Sequence, residues 1–153
     1  MANTYTQLYA QIIFSPNGRQ NLIRDRIKTD IYKYITGIVK NLNQKLMIIN
    51  GMPDHIHLFV GFHPDITISE LVGVIKSNTS NFINDQKLVA GKFSWQRGFG
   101  AFTYSKSQVP KVISYIQNQE NHHRKKTFRE EYLEILDKFD VEYKSEYLFD
   151  WFE

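Results

Sequence analysis

Two histidines one residue apart, His55 and His57, sit in the run Gly51-Met52-Pro53-Asp54-His55-Ile56-His57-Leu58-Phe59-Val60. The second half of the run alternates as a strand does. Ile56, Leu58, Val60 and Phe62 fall on one face, and His55, His57, Phe59 and Gly61 on the other. Two imidazoles at i and i+2 project the same way, so each can give one neutral nitrogen to a single metal ion. The plain alternative is a pair of histidines on a solvated sheet face.

A second constellation follows Pro110 and reads as a helix running through Ser114 to His123. Val109, Val112, Ile113 and Ile116 form its apolar stripe. Gln108, Tyr115, Gln119 and His122 fall on a different strip. Tyr115 and Gln119 are i and i+4, hence neighbours on the helix surface. On helix geometry alone this pair is a half-buried tyrosine beside a solvated glutamine.

Together the two stretches, Pro-Asp-His-Ile-His on a strand and Tyr-x-x-x-Gln on a later helix, resemble the HUH single-tyrosine transposases of small bacterial insertion sequences. The resemblance spans nearly the whole chain. It takes in the length, the motif order, the aromatic region from Trp95 to Tyr104 and the run His122-His123-Arg124-Lys125-Lys126. It implies that His55-Ile56-His57 is the HUH motif, that Tyr115 is the nucleophile and that Gln119 is the third metal ligand. It further implies cleavage and rejoining of single-stranded DNA with hairpin ends through a 5′-phosphotyrosine, in the bacterial cytoplasm. A homodimer is implied too, in which Tyr115 and Gln119 of one chain complete His55 and His57 of the other.

The metal is constrained from two sides. Imidazole favours zinc, iron or copper, whereas magnesium prefers oxygen. The resemblance implies magnesium or manganese, and manganese satisfies both arguments. His122 and His123 are extra ligands, phosphate contacts or exposed side chains. A host-domesticated relative acting on repeated palindromes is a neighbouring reading, but such relatives carry Asn-Pro where this chain has Gln119-Glu120. A reading of a different class is a ferredoxin-like nucleic-acid-binding module without catalysis, which leaves Tyr115 and the histidines unexplained.

Those residues must be positioned by a chain of 153 residues, a length suited to one domain with a real core. It carries no repeat, linker or signal-peptide pattern, and no apolar run approaches the ~18 residues of a membrane span. Cysteine is absent, which rules out disulfides and thiolate sites and fits a reducing cytosol. The net charge is +3. Arg19, Arg24, Arg26 and Lys28 cluster early, Arg124, Lys125, Lys126 and Arg129 cluster late, and the tail from Asp137 is mostly acidic. This split suggests basic patches for phosphates, with Arg124, Lys125 and Lys126 as DNA contacts, while Lys76, on a polar helix face with Ser77, Asn78 and Thr79, is a solvated residue or a donor to phosphate oxygens.

The pattern predicts a strand from about Thr4 to Phe14, a helix with Ile27, Ile31, Tyr34, Ile35, Ile38 and Leu42 on one stripe, and a strand from Lys45 to Ile49. Asn50-Gly51 reads as a hairpin turn leading into the histidine strand. Thr67-x-x-Glu70 and Thr127-x-x-Glu130 are capping boxes for two further helices. Between them, Gly91 to Tyr104 holds Phe93, Trp95, Phe99, Phe102 and Tyr104, with strand alternation at its end and Ser107 as cap of the tyrosine helix. An apolar tail of Tyr143, Tyr147, Leu148, Phe149, Trp151 and Phe152 should dock on its own body or on a partner. The order strand, helix, strand, strand, helix, strand and then two helices predicts an α+β, ferredoxin-like antiparallel sheet with helices on one face. The strand near Phe99 to Tyr104 is the expected edge for pairing two sheets in a dimer.

Overall fold

The computed structural model describes residues 3–152. Its elements are β1 (Tyr9–Phe14), α1 (Asp25–Asn41), β2 (Lys45–Met52), β3 (His55–Gly61), α2 (Ile68–Asp85), β4 (Gly100–Thr103), α3 (Val109–Gln117), α4 (Gln119–His123) and α5 (Phe128–Lys138). The strands form a four-stranded sheet in the order β2-β3-β1-β4, every pairing antiparallel. This is the expected ferredoxin-like α+β arrangement, with β4 at one edge.

One face of the sheet carries Ala10, Ile12 and Phe14 of β1 and Ile56, Leu58 and Val60 of β3, all buried. They pack with Ile27, Ile31, Ile35 and Val39 of α1 and Leu71, Val72, Ile75 and Ile83 of α2. The stripe of each helix recurs at three- and four-residue intervals, so a single face of each meets the sheet.

The sequence pattern places helices on one face, but α3, α4 and α5 cover the other face as well. Phe59 packs with Val112 and Ile116 of α3. The ring of Phe128 in α5 stacks on the imidazole of His55, with centroids 4.0 Å apart. Phe139 lies over Phe102 of β4 at 5.1 Å. Each large apolar side chain buried in this second layer stabilises it by about 1.5–3 kcal/mol. His55 and His57 are therefore fully buried rather than on a solvated sheet surface.

The turn between β2 and β3 also differs from expectation. Met52 pairs with His55, so Pro53 and Asp54 make the turn, while Asn50 and Gly51 stay in the ladder opposite His57 and Ile56. The sheet needs Gly51 for space, since a Cβ there would stand 2.2 Å from the His55 carbonyl oxygen. Asn50 instead turns its amide to α3, donating to the carbonyls of Ile116 at 2.9 Å and Gln117 at 3.3 Å. Those carbonyls lie in the last turn of α3, where backbone donors run short, and that of Ile116 also accepts from the Asn118 amide.

Thr67 and Thr127 each cap their helix, accepting from the glutamate amide three residues on. The full capping box forms at Thr127, whose amide donates back to Glu130 at 3.3 Å, whereas at Thr67 Glu70 accepts from the threonine hydroxyl instead. The cap before the tyrosine helix is Ser105, paired with Gln108, rather than Ser107. The expected continuous helix breaks at Asn118, whose φ and ψ of −92° and 20° separate α3 from α4. The tail docks on the chain's own body. Phe149 packs on Tyr132 at 5.1 Å and Phe128 at 5.8 Å, and Gln96 accepts from the Asp150 amide at 2.7 Å.

Candidate active site

β3 supplies His55 and His57, α3 supplies Tyr115, the break at Asn118 reaims α4 to present Gln119 and His123, and α5 supplies Glu131. All of these belong to one chain. The Tyr115 and His57 ring centroids lie 6.1 Å apart, so the tyrosine helix is docked on its own histidines.

His55 has its Nδ1 held by Asp54 at 2.7 Å, and its Nε2 faces Gln119 Oε1 at 2.9 Å and Glu131 Oε1 at 3.3 Å. A carboxylate behind an imidazole is the arrangement that orients a metal-binding histidine. Burial works against a charge on His55, but Asp54 and Glu131 outweigh it and raise its pKa to about 9. His57 differs. Burial lowers its pKa, and its Nδ1 meets the Gln11 amide nitrogen at 2.9 Å. Tyr104 in turn donates to Gln11 Oε1 at 2.7 Å, which fixes that amide behind His57. By turning over, the same amide accepts from an Nδ1–H, as a metal-bound His57 requires.

Glu131 is 1 % exposed and lies at the centre of the cluster. Its Oε1 meets His123 Nε2 at 3.0 Å and His57 Nε2 at 3.2 Å, and its Oε2 accepts from Gln119 Nε2 at 2.8 Å and from the Tyr115 hydroxyl. Burial alone would raise its pKa. His57, then hydrogen bonds from His123 and His55, reverse that and hold the carboxyl well below its usual range. Tyr115 is pushed the other way, first by burial and then by the Glu131 charge. His122 Nε2 stands 3.3 Å from the phenol oxygen on the open side.

His55, His57 and Glu131 each offer a donor atom, and these atoms lie within 4.8 Å of one another. Buried imidazole nitrogens with a buried carboxylate fit a divalent cation, which would balance the negative charge that Glu131 brings. Gln119 Oε1 points into the same space. Sequence reasoning missed Glu131, although a signal existed. On α5 it shares the buried stripe of Phe128, Tyr132 and Leu136, where a carboxylate needs a partner.

Tyr115 also borders a groove of about 990 Å³ lined by Lys111, Asn118, His122, Arg124, Lys125 and Lys126. Thus the basic run and the phenol share one surface. Arg124 is exposed and 4.0 Å from Glu120, and Lys126 donates to Glu134 at 2.6 Å. Lys76 is engaged elsewhere. Its ammonium donates to the carbonyls of Gln96 at 2.9 Å and Gly98 at 2.6 Å, and burial lowers its pKa to about 8.

An antiparallel ferredoxin-like sheet that buries a His-x-His pair beside a tyrosine defines the HUH tyrosine transposase class. The chain belongs to the IS200-like transposase family, whose model matches residues 4–119. Among solved structures it is similar to a candidate transposase from Deinococcus radiodurans R1, at 20% identity over 76% of this chain and 94% of that one, with a TM-score of 0.60. It is also similar to a REP-associated tyrosine transposase bound to a REP hairpin, at 13% identity over 79% of this chain and 72% of that one, with a TM-score of 0.58. No curated protein matches it. Among the described residues, no helix is long and apolar enough to cross a membrane.

Proposed function

We propose that this transposase cuts and rejoins single-stranded DNA at element ends, with Tyr115 as nucleophile. The observation that carries the reading is the Tyr115 phenol lying between the buried His55–His57 pair and the basic groove. A strand lying along Arg124, Lys125 and Lys126 brings its phosphates to the hydroxyl. Tyr115 Oη then attacks phosphorus in line, the bond from phosphorus to the 3′ oxygen breaks, and that oxygen leaves as a 3′-OH. The phosphodiester becomes a 5′-phosphotyrosine, so its energy is kept, and a 3′-OH attacking the same phosphorus reverses the step.

His55 and His57 would hold a divalent ion, magnesium or manganese, with Gln119 or Glu131 as a further donor. Such an ion supplies Lewis-acid polarisation of the scissile phosphate. The phenol must lose its proton to attack, and burial first, then the Glu131 charge, raises its pKa and makes that step costly.

Hairpin ends are the substrate that the chain's similarity to a REP-hairpin-bound transposase supports. Most contacts go to phosphates, which favours recognition by shape with few base contacts. A homodimer pairing two β4 edges would hold two DNA ends together. Exchange of tyrosine helices between its subunits, which the sequence resemblance implies, would rebuild the same cluster in each half. The test is incubation of the chain with end-labelled hairpin DNA, manganese present, on a denaturing gel. A covalent adduct and a cleaved strand are expected. Binding without either product would leave a nucleic-acid-binding module instead.

A further inference from the structure

We propose that the cavity between α3 and α5 takes one unpaired nucleobase, that of a nucleotide next to the phosphate at Tyr115. The proposal rests on the reading of Tyr115 as the residue that meets the strand. It adds a subsite for a base to a groove that holds phosphates.

The cavity has a volume of about 350 Å³, the size of a small-molecule pocket. Its walls are Tyr104 just past β4, Val112 of α3, Ile135 of α5 and Phe139 at the end of α5. They are preformed. Tyr104 donates to the buried Gln11 at 2.7 Å and stands edge-on to Phe59 at 6.0 Å and to Phe139 at 5.4 Å. Two aromatic rings at right angles thus line the space, and aromatic walls are what hold the bases of single strands.

Two features mark the occupant as part of a strand. Lys111, Tyr115 and His122 line this cavity and the basic groove alike, so the two meet at the phenol. A strand whose phosphates follow Arg124, Lys125 and Lys126 to Tyr115 brings its next base to the cavity mouth. The charges around the mouth agree. Lys111 and Lys138 are exposed there. Of the acids beside them, Glu134 is paired with Lys126 at 2.6 Å, and Glu131 with His123 at 3.0 Å and His57 at 3.2 Å. The Lys138 ammonium lies over the Phe139 ring at 5.7 Å. A base would take over that ring contact and free the lysine for a phosphate.

The test is an anisotropy titration of the full chain with labelled single strands, divalent ions absent so that no strand is cut. One abasic site is moved along the strand, a nucleotide at a time. A single position should weaken binding to the wild type about tenfold, the loss of one stacked base. Ile135→Trp fills the cavity and Phe139→Leu removes a ring. Each should bind the intact strand about tenfold more weakly, and the abasic site should then cost nothing further. Circular dichroism checks that each variant folds. An equal cost at every position, or a cost that persists in both folded variants, would overturn the subsite and leave the cavity to a ligand other than the strand. Cleavage on addition of Mn²⁺ is read separately. Wild-type cleavage without a sensitive position would sink this subsite alone. A sensitive, cavity-dependent position on a strand that is never cut would keep the subsite and overturn the cleavage reading. No binding of any strand would overturn both.

Discussion

The hydroxyl of Tyr115 donates a hydrogen bond to the carboxylate of Glu131, so the proposed nucleophile is tied to the same buried acid that faces the histidines. Both ends of the contact resist attack. Burial and the Glu131 charge raise the phenol pKa, and a phenol that is donating to a carboxylate is not aimed at a phosphate.

Tyr115→Phe should abolish cleavage and the covalent adduct while leaving DNA affinity within about twofold. The ring still packs, and only the hydroxyl is lost. Denaturing gels with labelled oligonucleotide, beside a filter-binding titration, measure the two quantities. An adduct that persists in the variant would exclude Tyr115 as nucleophile.

Metal affinity should rise with pH. Asp54 and Glu131, against the pull of burial, raise the His55 pKa to about 9. Its pKa is raised, so below that pH an incoming ion must displace the proton, and above it no longer has to. One displaced proton gives at most about a tenfold gain in affinity per pH unit. Calorimetric titration with Mn²⁺ from pH 6.5 to 8.5 should show the increase, and a flat profile would contradict it.

Mixing His57→Ala subunits with Tyr115→Phe subunits decides where each site is assembled. Each variant is inactive alone. If the tyrosine helix stays on its own histidines, both sites of a mixed pair stay broken; if helices exchange between subunits as proposed, one site regains intact histidines and tyrosine and cleavage returns. Recovered cleavage in verified mixtures would show that the helices exchange between chains.

Lys125 and Lys76 should separate binding from stability. Lys125→Ala in the groove should weaken binding of all strands alike and lower the salt slope by about 1. Lys76→Ala frees the carbonyls of Gln96 and Gly98, so it should lower the melting temperature and leave the salt slope unchanged. A reduced slope for Lys76→Ala would place that ammonium on DNA.

Gly51→Ala should destabilise the fold by about 2 kcal/mol or more, since its Cβ would meet backbone that cannot move aside. Gly37→Ala is the control. Its Cβ meets nothing within 4 Å, and removing a mid-helix glycine should stabilise by about 0.5–1 kcal/mol. Thermal melts of both variants check the pair.

The sequence by itself determined the strand and helix order, the shared face of His55 and His57, the neighbouring places of Tyr115 and Gln119, and the caps at Thr67 and Thr127. All of these are local. Period-two and period-3.6 patterns and three-residue capping spacings are written in adjacent residues. The Asn50-Gly51 signal failed because turn chemistry is also what a close strand approach and an α3-capping amide need, and only the partners at His55 and Ile116 reveal that use. Tertiary structure alone decided that the second sheet face is covered, and so that both histidines are buried. It also decided that Lys76 is held by backbone carbonyls and that Glu131 stands among His55, His57 and His123. Glu131 is 74 residues from His57, and no local pattern encodes a meeting over such a distance. That meeting follows from where α5 docks, which is set by the packing of Phe128 on His55 and of Phe139 on Phe102.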